Sequence, residues 1–137
     1  MVEGLEPTEV SLEKTGIIDL PRVDVTEYIG KKAEIEFVTE HKGNYGHFVK
    51  FVTKSMGSLK DEKKQIVTDK EGLPVLATGS LIIGLNEDKD GNIGWGKDSK
   101  MSRFLAKYGV DHYKKMKGKE VLVQGRDSDG KTFLTIA

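Results

Sequence analysis

Gly30 to Lys54 reads GKKAEIEFVTEHKGNYGHFVKFVTK, and its alternation decides what the rest of the chain can be. Apolar residues at every second position describe a strand with one buried face. Ala33, Ile35 and Phe37 therefore form one face of a first strand, and His47, Val49 and Phe51 one face of a second. Phe48 and Lys50 then point the other way. Between the strands, His41-Lys42-Gly43-Asn44-Tyr45-Gly46 supplies two glycines and an asparagine, residues that tolerate the positive φ of a hairpin turn. An outward ring beside an outward ammonium suits a single nucleic-acid strand, with a flat surface for a base and a cation for a phosphate. The competing reading is packing, with Phe48 covering a helix or loop of its own domain.

A chain of 137 residues is one domain's worth, long enough to bury a core without staples. It has no cysteine, which excludes disulfides, zinc–thiolate sites and cysteine nucleophiles. The opening stretch MVEGLEPTEVSLEK is acidic and lacks the apolar run of a signal peptide, and no segment approaches a membrane span, so a soluble, cytoplasmic protein is expected. Charged residues make up 32% of the chain, against three asparagines and two glutamines, a bias of the kind found in heat-adapted proteins. The net charge is zero but segregated: residues 1–40 hold ten acids and four bases, and residues 41–137 twelve acids and eighteen bases. An acidic leader on a basic body fits a domain whose tail competes for a polyanion site; a merely solvated terminus fits the tail alone.

Residues 1–20 show no sustained period and read as a tail, disordered or draped over the surface, ahead of a domain spanning 21–137. Asp24 to Gly30 reads as one helical turn, capped by Asp24 and ended by Gly30. Beyond the hairpin, Ser55 to Gly72 is a charged excursion around the short apolar run Gln65 to Thr68, with a turn expected at Asp69-Lys70-Glu71-Gly72. Leu73 to Leu85 is the most apolar run and reads as a third strand bent at Gly79 and Gly84. Met101, Phe104, Leu105 and Tyr108 stand at helical spacing, capped by Asp98 or Ser99 and stopped by Gly109. Lys119 to Gln124 and Thr132 to Ile136 complete the set as two strands about a turn at Asp127-Ser128-Asp129-Gly130.

The predicted fold is therefore mainly β, and its order is that of the OB-fold, a five-stranded Greek-key barrel with one helix between strands three and four. With Val25 to Glu36 (VTEYIGKKAEIE), the Tyr45-Gly46-His47-Phe48-Val49-Lys50 strand and the tail Gly118 to Ile136, the chain resembles OB-fold single-stranded DNA-binding proteins of the archaeal, viral and replication-protein-A-like class. The likeness is one of element order over about the last five-sixths of the chain. It implies a ligand crossing strands two and three, flanked by the loops His41 to Gly46 and Gly125 to Lys131, and a role such as DNA replication.

For such a ligand the stacking candidates are Tyr45, Phe48 and Trp95, and Lys42, Lys50, Lys54, Arg126 and Lys131 are the phosphate partners. Trp95 lies between glycines that leave its ring free to cap the barrel, the preferred reading for a lone tryptophan, or to face outward. Residues 97–119 add eight bases against two acids, a helix face that a solvated surface also explains. Asn86, Asp88, Asp90 and Gly91 match the start of a calcium loop, but Lys97 stands where its bidentate glutamate belongs, so a plain Asp-Gly turn is expected and no metal or cofactor. His41, His47 and His112 have no metal-site spacing, and phosphate loops and serine elbows are absent, which predicts a protein that is not an enzyme. Glu34 and Glu36 beside the expected face would repel phosphate. The alternative function is a protein-interaction or assembly module, with Phe48 and Trp95 buried against another chain, in a homo-oligomer for instance. DNA and RNA are not distinguishable at this level, because contacts to a 2′-hydroxyl have no sequence signature.

Overall fold

The Gly30–Lys54 alternation becomes a long antiparallel hairpin, and the chain closes a barrel around it. The structure, a computed structural model, describes residues 22–137 together with residues 9, 11–13, 15 and 16. The tail expected over residues 1–20 thus lies largely outside the described residues. In chain order the strands are β1 (Val23–Asp24), β2 (Lys32–Gly43), β3 (Gly46–Thr53), β4 (Lys60–Asp61), β5 (Ser80–Gly84), β6 (Asn86–Glu87), β7 (Ile93–Gly94), β8 (Glu120–Ser128) and β9 (Lys131–Ile136). A single α-helix, α1 (Lys100–Lys107), and two 3-10 turns, Thr26–Tyr28 and Tyr113–Met116, complete the described elements. The five strands expected from the sequence correspond to β2, β3, β5, β8 and β9, except that the third begins at Ser80 and not at Leu73, because residues 74–77 bond to the excursion instead.

These five form a closed barrel in the order β2-β3-β5-β9-β8. Neighbours run antiparallel except β5 and β9, which are parallel with Ser80 beside Thr135. Closure removes the sheet edges that would otherwise template pairing with other chains. The helix begins where the period predicts: the Ser99 hydroxyl accepts from the Ser102 amide at 3.2 Å. Met101, Phe104 and Leu105 are buried on its inward side.

The face expected for Phe37 is corrected. Phe37 does not share the inner face with Ala33 and Ile35. Ile35 pairs with Thr53 and Phe37 with Val52, so Glu36 is an extra residue bulged out of the ladder. Side chains alternate with period two, and one inserted residue inverts everything after it. Val38 turns inward opposite Phe51, and Phe37 is left 52% exposed.

The interior is built in two layers. Ile35, Val49, Phe51, Ile83, Val121 and Ile136 pack with α1 and with Tyr113 and Met116 at one end. Ala33, Val123 and Leu134 pack at the other with Val25, Tyr28 and Ala77. Thr53 is the buried polar side chain among the described residues, and its hydroxyl accepts from the Gly79 amide at 2.8 Å while donating to the Lys54 carbonyl at 3.0 Å. Gly79 is glycine for space, since a Cβ there would sit 3.1 Å from Val123 Cγ2.

The charged excursion between β3 and β5 is ordered. Leu59 donates to the Val75 carbonyl, Val75 to Val67 and Val67 to Leu59, so three short segments close a ring of backbone hydrogen bonds at 2.7–2.9 Å. The turn expected at Asp69 to Gly72 is present: the Asp69 carboxylate accepts from the amides of Glu71 and Leu73 at 2.9 and 3.0 Å. Tyr28 ties the excursion to the barrel by donating to the Ser58 carbonyl at 2.7 Å. Among the described residues no helix is long and apolar enough to cross a membrane.

Candidate nucleic-acid interface

Residues paired directly across antiparallel strands share a face, so the ladder fixes what surrounds the outward residues of β3. Phe48 lies between His41 on β2 and Gly84 on β5, Lys50 between Thr39 and Ile82, and Val52 between Phe37 and Ser80. From Phe48 to Val52 the face runs for about 13 Å at the usual strand rise. The hairpin turn is only Asn44 and Tyr45, and the Tyr45 ring stands fully in solvent at its tip.

Phe48 is held rather than loose. Its ring stacks on His41 with centroids 5.0 Å apart and planes within 16°, and its edge lies over Gly43, where a Cβ would sit 3.3 Å from Cε1. The His41 ring is itself fixed by a 2.7 Å contact between Nε2 and the Thr39 hydroxyl. Because Gly84 has no side chain, the flank of Phe48 toward β5 is bare. Beside it, Ile82 is 53% exposed, and Lys50 makes no ion pair among the described residues. The result is a half-apolar surface with one uncompensated ammonium at its centre.

The other expected partners divide. Lys54 stands at the next outward position after Val52, but its ammonium is 3.4 Å from Glu34. That contact also compensates one of the two glutamates expected to repel phosphate; the other, Glu36, is the half-buried residue of the bulge. Lys42 pairs with His47 and so occupies the face opposite Phe48. Arg126 lies opposite Phe133 and Lys131 opposite Ser128, exposed on the β8–β9 hairpin at the Ser80 end of the face. Both flanking loops are shorter than the sequence pattern suggests, because the strands run on through Gly43 and Ser128 and leave two-residue turns.

Trp95 lies apart from Phe48. It is half-buried against the core, edge-on to His112 at 5.2 Å and to Tyr113 at 5.6 Å. Tyr113 donates its hydroxyl to Glu40, and burial followed by that hydrogen bond pushes its pKa up to about 12. The Glu40 carboxylate is therefore engaged on the barrel's inner side, since Glu40 pairs with buried Val49. The Asp88 turn closes the β6–β7 hairpin: one carboxylate oxygen accepts from the amides of Asp90 and Asn92, the other from the Asn92 side chain. These bonds hold the Asp88 carboxyl below the ordinary aspartate range. Among the described residues no group of three or more His, Asp or Glu is arranged to hold a metal ion.

The geometry thus gathers Phe48 and Lys50 on one face, leaves Tyr45 in the turn beyond it, and adds Phe37, His41 and Ile82, which sequence reasoning did not single out. Phe133 is a further omission, although its parity was readable: Leu134 and Ile136 are buried, so the residues between and before them face out. No protein-family model matches the sequence, and no curated protein matches it.

Proposed function

We propose that the barrel is an OB-fold and that the outer face of β2, β3 and β5 binds single-stranded DNA without chemistry and with weak sequence preference. The observation that carries this reading is the His41–Phe48 stack standing beside the uncompensated Lys50 on a half-apolar surface. A ring held flat by a second ring is pre-organised to receive a base, and Phe37 and Ile82 extend the apolar area on either side of the lysine. The strand order supports the fold assignment: β5 runs parallel to β9 while β2 closes against β8, and the helix falls in the chain between the third and fourth barrel strands.

The test is fluorescence anisotropy of a labelled single strand at two salt concentrations, with duplex as control. Binding of the single strand that weakens with salt is expected, with duplex bound less well. Phe48→Ala should weaken binding by about fivefold or more, the effect of losing one stacked base. A change below about twofold would remove stacking from the mechanism. An RNA strand of the same sequence in parallel distinguishes the two sugars.

A second reading is an assembly module on the same barrel. It is favoured by Ile66, Leu73 and Leu76, each more than half exposed in the charged excursion. A gel-filtration mass above that of one chain, unchanged by oligonucleotide and with no anisotropy response, would support it instead.

A further inference from the structure

The barrel face does not end at Ser80. Beyond it a groove of about 880 Å3 opens between the excursion and the β8–β9 hairpin. Its volume falls within the roughly 300–1,000 Å3 of clefts that bury small ligands. Leu59 and Leu76 of the excursion and Phe133 of the hairpin line it, together with Thr78 and Ser80 where β5 begins. Arg22 and Lys131 line it as well, against one acid, Asp129. Leu76 is 56% and Phe133 52% exposed, so two apolar surfaces face a space that no side chain of the described residues fills. Ser80 belongs both to the groove and to the outer face, where it pairs with Val52, so the two surfaces are continuous.

We propose that this groove is a second nucleotide-binding subsite, in which a base of the same single strand lies between Phe133 and Leu76 while its flanking phosphates meet Lys131 and Arg22. The inference rests on the reading of the barrel face as a single-strand interface. A polynucleotide is the occupant that the residues favour, because an apolar slot with a net positive lining complements a flat base on an anionic backbone. Thr78 and Ser80 supply hydroxyls that hydrogen-bond base edges of either kind, in keeping with weak sequence preference. The excursion between β3 and β5 is then a wall of the binding site, and the ligand path turns off the barrel between two elements far apart in sequence.

The experiment measures affinity of the full chain for labelled oligothymidines from about 4 to about 16 nucleotides, the span of single-domain site sizes. Three variants are compared with wild type: Phe133→Ala, Leu76→Glu and, on the barrel face, Phe48→Ala. Phe133 and Leu76 are exposed, so neither change opens the core, and circular dichroism with a thermal melt verifies it. The expected result is that Phe133→Ala and Leu76→Glu weaken the longer strands about fivefold or more and leave the shortest within about twofold, whereas Phe48→Ala weakens every length. If Phe48→Ala weakens binding but Phe133→Ala and Leu76→Glu match wild type at all lengths, the groove proposal is overturned and the barrel-face reading stands. No binding by wild type overturns both. A wild-type dimer that Leu76→Glu dissociates, with oligonucleotide affinity unchanged, assigns the groove to a second copy of the chain and likewise overturns the proposal.

Discussion

Lys64 holds a φ of 63°, the left-handed region that costs an ordinary L-residue about 1–2 kcal/mol. It does so because Asp61, like Asp69 and Asp88, folds its carboxylate onto the amides two and four residues on, and the position between must turn left. The other two turns have Gly72 and Gly91 there, at φ of 81° and 84°. Lys64→Gly should therefore raise stability by about 0.5–1 kcal/mol, after deducting the extra freedom of glycine in the unfolded chain, read as a higher urea midpoint at unchanged slope. Tyr113 is the second informative residue. An unfolded tyrosine loses its proton near pH 10, and the folded protein holds that of Tyr113 up to about 12. The folded state thus binds the proton more tightly, and the stability this gives is complete below pH 10 and declines as the pH climbs toward 12. Tyr113→Phe should flatten that alkaline decline in the urea midpoint and delete a phenolate absorbance step near pH 12.

At the scale of elements, the bulge at Glu36 decides which phenylalanine is core and which is surface. Phe51 is fully buried and tilts against Phe104 at 5.1 Å, whereas Phe37 stands outside beside Val52. Phe51→Ala should cost about 3–5 kcal/mol, the usual loss for a buried ring, and Phe37→Thr less than about 0.5 kcal/mol. Equilibrium unfolding of the two variants checks both values; a large loss from Phe37→Thr would return that ring to the interior. The helix and the strands were legible because each repeats its own period over several residues. The bulge was not, since its cause is the bend that β2 must make to pair with β3 on one side and β8 on the other. The only local trace is the adjacent pair Phe37-Val38, where two apolar residues interrupt the alternation.

Over the whole molecule, charge and topology bear on the proposed function together. A net charge of zero gives no long-range attraction for a polyanion, so binding must come from local cations. Lys50 is the cation at the centre of the face, and the ammonium of Lys54 is shared with Glu34. In a plot of log affinity against log salt for a single strand, each phosphate contact contributes a slope of about 0.7. Lys50→Ala should shallow the slope by about that amount, and Lys54→Ala by less; equal effects would mean that the Glu34 contact opens when the strand binds.

Composition and periodicity determined on their own that the chain would be mainly β, that a hairpin would open the barrel, that one amphipathic helix would follow the third strand, and that Phe48 and Lys50 would share a side. These follow from near-neighbour chemistry: alternation, capping and turn residues act within a few positions. Only the tertiary structure decided that Phe37 faces outward, that Lys42 and Trp95 stand away from Phe48, that Lys54 is held by Glu34, and that the excursion walls a groove with Phe133. The side taken by Lys42 follows from the hairpin register, which sets it beside His47; the others depend on residues brought together from separate segments, a constraint that no single segment carries.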